Sequence, residues 1–158
     1  MRNVKLLRQI KMLILLFIIL LVLSGITAFP IKWQLDLVRD YIFSFAEENS
    51  IRQWFMKIYD GITNTYEKYP FIAYGTDWLA FAHIVIAIAF IGPYRDPVKN
   101  IWVIQFGMIA SVMVFPLAFI AGNIRSIPFF WQLIDCSFGV FGFLLLYIIY
   151  RKIKKLEE

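Results

Sequence analysis

Three ionisable side chains lie in stretches that are otherwise apolar enough to enter a membrane: His83, Asp77 and Asp135. His83 is the only histidine and belongs to TDWLAFAHIVIAIAFIGP, residues 76–93. An imidazole changes charge near neutral pH, and a carboxylate beside it orients the ring for proton transfer or for binding a polar group. Because ionisable groups at membrane depth are costly unless they find a partner, these residues are the first candidates for function.

The helices that carry these side chains bring them to similar depths. His83 lies about 9 Å below the end of its helix, and Asp135 lies about 10 Å below Pro128, at a rise of 1.5 Å per residue. We therefore expect His83 and Asp135 to form a hydrogen bond. Asp77 and Arg125 would extend this site toward the outer surface. It stays open whether the residues form a clamp that fixes helix order, form a site for proton transfer or a polar ligand, or do not meet.

The composition is that of an integral membrane protein. Of the 158 residues, 61% are hydrophobic and 17% are charged, whereas soluble domains are about half apolar and a quarter charged. Basic clusters at residues 2–11 and 151–155 flank apolar segments, which is typical of membrane anchoring and not of nucleic-acid binding. The single Cys136 excludes an internal disulfide. One histidine with scattered carboxylates gives no metal-ligand spacing, so we expect no metal and no cofactor.

Four apolar runs are long enough to cross a bilayer core of about 30 Å. They cover approximately residues 12–29, 76–92, 101–121 and 129–150. A cleaved signal peptide is the competing interpretation of the first run, although Ile26 stands where a cleavage site has a small residue. In the second run, Thr76 is predicted to cap the start of the helix and Gly92-Pro93 to stop it.

Residues 31–70 form the only sizeable polar segment, and apolar residues recur in it at helical spacing. This pattern predicts two amphipathic helices joined at residues 47–49, with Ser50 as the N-cap of the second. Their aromatic side chains suit the headgroup region of a bilayer. We expect these helices to cover the outer face of the protein, either as a cap or as a lid over a lipid-like ligand.

Small side chains indicate where the membrane-crossing helices approach most closely, because only small residues let two backbones come into contact. They are Gly107, Ser111, Ala118 and Gly122 in the third span, and Gly139 and Gly142 in the fourth. The two glycines of the fourth span share a face with Asp135. Pro116 is expected to bend the third span and to release the carbonyl group of Val112.

The distribution of charge predicts that both termini are cytoplasmic. With four spans and the amino end inside, ten of the sixteen basic residues fall on the cytoplasmic side. The sequence therefore predicts a single membrane domain, residues 1–158. Its fold is an all-α, antiparallel bundle of four transmembrane helices, with two amphipathic helices in the first outer loop.

Three stretches between residues 75 and 142 carry a resemblance. They read GTDWLAFAHIVIAIAF, IGPYRDPVKNIWVIQFGMIA and FFWQLIDCSFGVFG. They resemble a family of small, uncharacterised bacterial inner-membrane proteins with four spans, which implies that location and no known activity. The layout of four spans, a long first outer loop and intramembrane carboxylates is also similar to that of sterol-isomerase-like membrane proteins, which implies a lipid-like ligand.

Two functions follow as hypotheses. The small-residue stripes, the aromatic outer segment and the lack of a complete catalytic set favour an accessory or scaffolding subunit of a larger membrane complex. Its partners would be membrane lipids and another membrane protein. The alternative is a protein or enzyme that binds a lipid- or quinone-like ligand at the site of His83 and Asp135. The sequence leaves open whether the chain is an enzyme.

Overall fold

The computed structural model describes residues 2–45 and 47–158, which are helical or in turns and contain no strand. The helices in chain order are α1 (Arg2–Ala28), α2 (Ile31–Val38), α3 (Ser50–Lys68), α4 (Ala73–Ala89), α5 (Ile91–Arg95), α6 (Ile101–Ile124) and α7 (Phe129–Glu157). A π-helical turn, Arg39–Phe43, continues α2. A 3₁₀ turn, Pro70–Ile72, leads into α4.

Four segments of the described chain are long and apolar enough to cross a membrane. They are Asn3–Ala28, Pro70–Arg95, Ile101–Ile124 and Phe129–Glu157. The prediction of an all-α chain with four such helices is confirmed, and this is the make-up of a multi-pass membrane protein. Helices α1 and α7 are longer than the apolar runs that predicted them, because basic and polar residues continue each helix beyond the hydrophobic stretch.

The chain divides into two compact units, one formed by the residues up to Leu20 together with Ile86–Glu158, and the other by Leu21–Val85. The first unit has a core of fully buried side chains from α1, α6, α7 and the turn after α4. They are Ile10, Ile14, Phe90, Ile104, Leu146, Ile149 and Ile153. Gly107 near the start of α6 lies against Leu146, and Gly122 near its end lies against Gln132 at the start of α7, so these two helices run antiparallel. Lys152 of α7 donates a hydrogen bond to Gln9 of α1, so the first turns of α1 lie beside the last turns of α7.

The start of α3 differs from the prediction, in which Ser50 is the N-cap. The cap is Asn49, whose backbone is extended and whose Oδ1 accepts a hydrogen bond from the Arg52 backbone N–H at 2.9 Å. Asparagine and serine cap helices about equally well. Two adjacent residues could therefore serve, and the local sequence did not decide between them.

The start of α4 also differs from the prediction. The helix begins at Ala73, so Thr76 lies inside it and is not its N-cap. The 3₁₀ turn Pro70–Ile72 already carries the chain into a helical conformation before that point. The Thr76 hydroxyl is instead 2.8 Å from the Tyr66 hydroxyl, a hydrogen bond that ties the end of α3 to the first turn of α4.

The predicted stop at Gly92-Pro93 is wrong, because α4 ends earlier, at Ala89, and both residues lie in α5. Proline fits there because the first N–H groups of a helix need no partner within it. The Asn100 side chain then donates to the carbonyl oxygens of Gly92 at 3.2 Å and Asp96 at 2.9 Å. These bonds fold the segment between α5 and α6 into a tight turn.

Helix α6 continues through Pro116 and ends in a tight reversal. The Ser126 N–H donates to the Asn123 carbonyl at 3.2 Å, and the Ile127 N–H donates to the Gly122 carbonyl at 2.9 Å. Ser126 has φ 56°, the left-handed conformation that this helix ending requires. The chain therefore turns directly from α6 into α7, and the two helices lie side by side.

A polar cluster around Tyr59 joins α2 to α3. The Tyr59 hydroxyl donates to Asp36 Oδ1 at 2.9 Å, and Lys32 Nζ donates to the same oxygen at 2.6 Å. The Arg39 guanidinium also donates to the Tyr59 hydroxyl. The hydrogen bond from Lys32, followed by the one from Tyr59, lowers the pKa of Asp36 from its ordinary value. The cluster therefore depends on the ionised form of Asp36.

We expect the contact between α2 and α3 to weaken in acid. The carboxyl of Asp36 has a lower pKa in the folded chain, so its contribution is complete above its unfolded pKa of about 3.9. That contribution is lost as the pH falls through the lowered folded value. Amide hydrogen exchange of residues 31–38, corrected for intrinsic rates, should show this loss of protection in the wild-type chain.

The variant Asp36→Asn separates this cause from general acid unfolding. It should exchange faster than wild type near neutral pH and show little further change in acid. Asp60→Asn is the matched control, because Asp60 is an exposed acid on α3 outside the cluster. If Asp36→Asn kept the acid sensitivity of the wild type, another group would have to be responsible.

Candidate functional site

His83 lies half-buried on α4, with its Nδ1 atom 2.8 Å from the Leu79 carbonyl oxygen. A carbonyl oxygen only accepts hydrogen bonds, so Nδ1 carries the proton in this contact. The ring makes no second hydrogen bond with the described residues of its own unit. Within this unit Nε2 therefore has no partner, and it is an acceptor when Nδ1 carries the proton.

A close crossing of α1 and α4 fixes the backbone at His83. A Cβ atom added at Gly25 would lie 2.8 Å from the Ala80 carbonyl oxygen and 3.0 Å from Ile84 Cγ1. It would lie 3.3 Å from the Cβ atom of His83. Only glycine permits so close an approach. Sequence reasoning missed Gly25, although it is the only glycine in the first apolar run and could have been found on that ground.

The other predicted polar residues do not form one cluster within either unit. Asp77 is half-buried on α4, in the same unit as His83, and Asp135 is half-buried on α7 in the other unit. Arg125 is exposed at the end of α6. Among the described residues of their shared unit, Arg125 and Asp135 form no ion pair, and Asp135 has no hydrogen-bond donor. The hydrogen bond between His83 and Asp135 stays a prediction.

Small residues lie where α6 meets α7. An added Cβ at Gly139 would lie 2.6 Å from the Ser111 carbonyl oxygen, and one at Gly142 would lie 3.0 Å from Ser111 Oγ. At Gly107 the added atom would lie 2.7 Å from Leu146 Cδ1. The Ser111 hydroxyl donates to the Gly107 carbonyl at 2.8 Å, so it is satisfied within its own helix. The two helices are therefore in backbone contact at Gly139 and pack closely over several turns.

At the other end of the same interface, Gln132 fills the space beside Gly122. An added Cβ at Gly122 would lie 2.7 Å from Gln132 Cδ. The Gln132 amide nitrogen donates to the Ile127 carbonyl at 2.8 Å and to Asn123 Oδ1 at 3.3 Å. Its Oε1 atom is buried and has no partner in the described chain. Ala118, the remaining member of the predicted stripe, is half-buried on α6.

The arrangement has the character of a helical membrane protein whose polar groups are dispersed along its spans. In the described residues, no three His, Cys, Asp or Glu side chains are grouped so that they could hold a metal ion. No protein-family profile, curated protein or solved structure matches the chain. Conclusions about function therefore depend on the geometry of the chain itself.

We expect Gly139→Ala to destabilise the protein by about 1–3 kcal/mol, the usual cost of overpacking. The new methyl group would meet the backbone of α6, which cannot move aside as a flexible side chain can. Equilibrium unfolding in mixed detergent micelles would measure the change.

Gly61→Ala is the matched control, because a Cβ at Gly61 meets nothing within 4 Å. The same substitution there should stabilise α3 by about 0.5–1 kcal/mol, since alanine favours helix more than glycine does. A neutral or stabilising effect of Gly139→Ala would contradict the close packing of α6 and α7.

Proposed function

We propose that the chain is an accessory or scaffolding subunit of a larger membrane complex. Its four spans would form an antiparallel bundle in the bacterial inner membrane, with both termini in the cytoplasm. The bias of basic residues toward the two chain ends supports this orientation. The observation that carries the proposed function is that Asp135, an acid within a membrane-crossing helix, has no hydrogen-bond donor among the described residues of its unit.

Asp135 lies about 9 Å from the start of α7 at 1.5 Å per residue, within the apolar run. Its carboxylate is half-exposed, and Phe138, one helical turn away, is 71% exposed. The N–H groups of a helix interior are used by its own backbone, so the backbone of α7 offers the carboxylate no donor. An aspartate costs about 2.5–3.5 kcal/mol at the centre of a span, which is an upper bound at the depth of Asp135. A donor on a second membrane protein would remove this cost.

We therefore expect Asp135→Ala to release the partner. If a basic or hydrogen-bonding side chain of another protein pairs with Asp135, the substitution leaves that group unpaired in the membrane and weakens the assembly. Native mass spectrometry after gentle extraction from the membrane should show a discrete heavier assembly for the wild type. It should show mainly the single chain for the variant.

The control is Asp60→Ala, which removes an exposed acid outside the spans and should leave the assembly unchanged. A wild-type protein that is extracted as a stable single chain would contradict the proposal. An assembly that survives Asp135→Ala intact would also contradict it, because Asp135 would then have no partner in the complex.

The second candidate function is the binding of a lipid- or quinone-like ligand, and the available Nε2 atom of His83 favours it. A ring held by one nitrogen presents the other in a fixed direction, which suits recognition of a carbonyl or hydroxyl group. The aromatic side chains of α2 and α3 would cover such a ligand on the outer side. Asp135 would contribute a second polar group.

Under this second function, the extracted protein should carry a defined small mass that is lost in His83→Ala and in Asp135→Asn. His83→Phe keeps the volume of the ring but removes both nitrogens, so it should also lose the ligand while the protein remains folded. Asp60→Asn is the control for the change of charge. Retention of the same mass in all His83 variants would exclude a role for this histidine in binding.

A further inference from the structure

A cavity of about 790 Å³ lies between the first turns of α1 and the last turns of α7, within one compact unit. Its size falls in the range of sites that hold small organic ligands, about 300–1,000 Å³. The lining combines charged, polar and apolar side chains from both helices. The cavity is separate from His83 and Asp135, because neither residue lines it.

The charge of the lining is strongly positive. Among the described lining residues, five are cationic and one, Glu158, is acidic. The five are Lys5, Arg151, Lys152, Lys154 and Lys155. Lys154 is paired with Glu157 at 2.8 Å, whereas Lys5 and Lys155 make no ion pair in the part of the chain that the structure describes. Cations that line one cavity attract anions, and an anion that bound only the folded chain would stabilise it.

Polar bonds hold two of the cations on the wall. Lys152 Nζ on α7 donates to Gln9 Oε1 on α1 at 2.9 Å, which links the two helices across the cavity. Arg151 Nη1 donates to the Tyr147 hydroxyl at 3.2 Å, and the guanidinium lies 6.0 Å from the centre of the tyrosine ring. A guanidinium held in this way keeps further N–H groups free, and its planar fork matches the geometry of a phosphate.

Part of the wall is apolar. Leu6 from α1 and Ile148 from α7 line the cavity together with the Tyr147 ring. Ile148 is 47% exposed. The uncharged stretch of α7 ends at Tyr150, so the cations begin where the hydrocarbon region would end. The lining therefore suits an anion that carries an apolar group better than it suits a free inorganic ion.

We propose that this cavity binds the phosphate-bearing headgroup of an anionic phospholipid, with an acyl chain against Ile148 and the Tyr147 ring. The headgroup phosphate accepts hydrogen bonds from Arg151 and the lysines, and the cations neutralise its charge. Basic pockets between membrane helices at the cytoplasmic side are suited to anionic lipids for this reason. The site does not depend on a partner protein or on the polar groups of the other unit.

The test uses the full chain in mixed vesicles of phosphatidylglycerol and phosphatidylcholine, with the lipids retained on extraction counted by native mass spectrometry. The wild type should retain phosphatidylglycerol in preference to phosphatidylcholine. In the double variant Lys5→Gln/Lys155→Gln, this preference should fall roughly thirtyfold, as expected for two lysines beside an anionic headgroup. Neither lysine makes an ion pair in the described chain, so the variant should fold.

The double variant Arg95→Gln/Lys99→Gln removes the same charge from the end of α5 and the turn that follows it, outside the cavity. It should keep the preference for phosphatidylglycerol. An equal loss in both variants would mean that the effect is one of net charge, and would overturn the proposal. Displacement of the bound lipid by inorganic phosphate alone would overturn it as well, because the cavity would then recognise a free anion. Equal retention of the two lipids by the wild type would do the same.

Discussion

The backbone contact between α6 and α7 is the constraint on which the rest of the larger unit depends. Lipid is as apolar as the side chains it surrounds, so helices in a membrane gain little from burying leucine or phenylalanine against one another. They associate through dispersion forces, which require close approach. Gly139 permits that approach because it has no Cβ atom to collide with the Ser111 carbonyl oxygen. The same alignment then sets Gly107 against Leu146 and Gly122 against Gln132.

Packing through small residues leaves most large side chains on the surface and few places for polar groups. Donor side chains solve this within their own helix: His83 binds the Leu79 carbonyl, and Ser137 binds the Ile134 carbonyl at 2.6 Å. A carboxylate has no such solution, because it only accepts and a helix interior has no spare N–H group. Asp135 therefore depends on a donor other than the backbone of its own helix.

Apolar runs predicted the number and type of the long helices because hydropathy over many residues averages out local exceptions. Helix ends were predicted less well, since a cap is decided by one or two residues, as with Asn49 and Ser50. The predicted hydrogen bond between His83 and Asp135 illustrates a further limit of sequence reasoning. Depth follows from counting residues along each helix, but a contact also depends on how the helices are rotated and placed, which no single segment encodes.

The basic cavity is a second feature that depends on how helices are placed relative to one another. The sequence indicated two basic clusters and their use as membrane anchors, but not that they face one another. With 29 residues, α7 extends about 43 Å at 1.5 Å per residue, which exceeds the hydrocarbon thickness of about 30 Å. Its last turns therefore project beyond the apolar region as ordered helix, beside the equally extended start of α1. Anchoring alone requires only that lysines lie near the interface, whereas two projecting helices joined by Lys152 and Gln9 hold them around a defined volume.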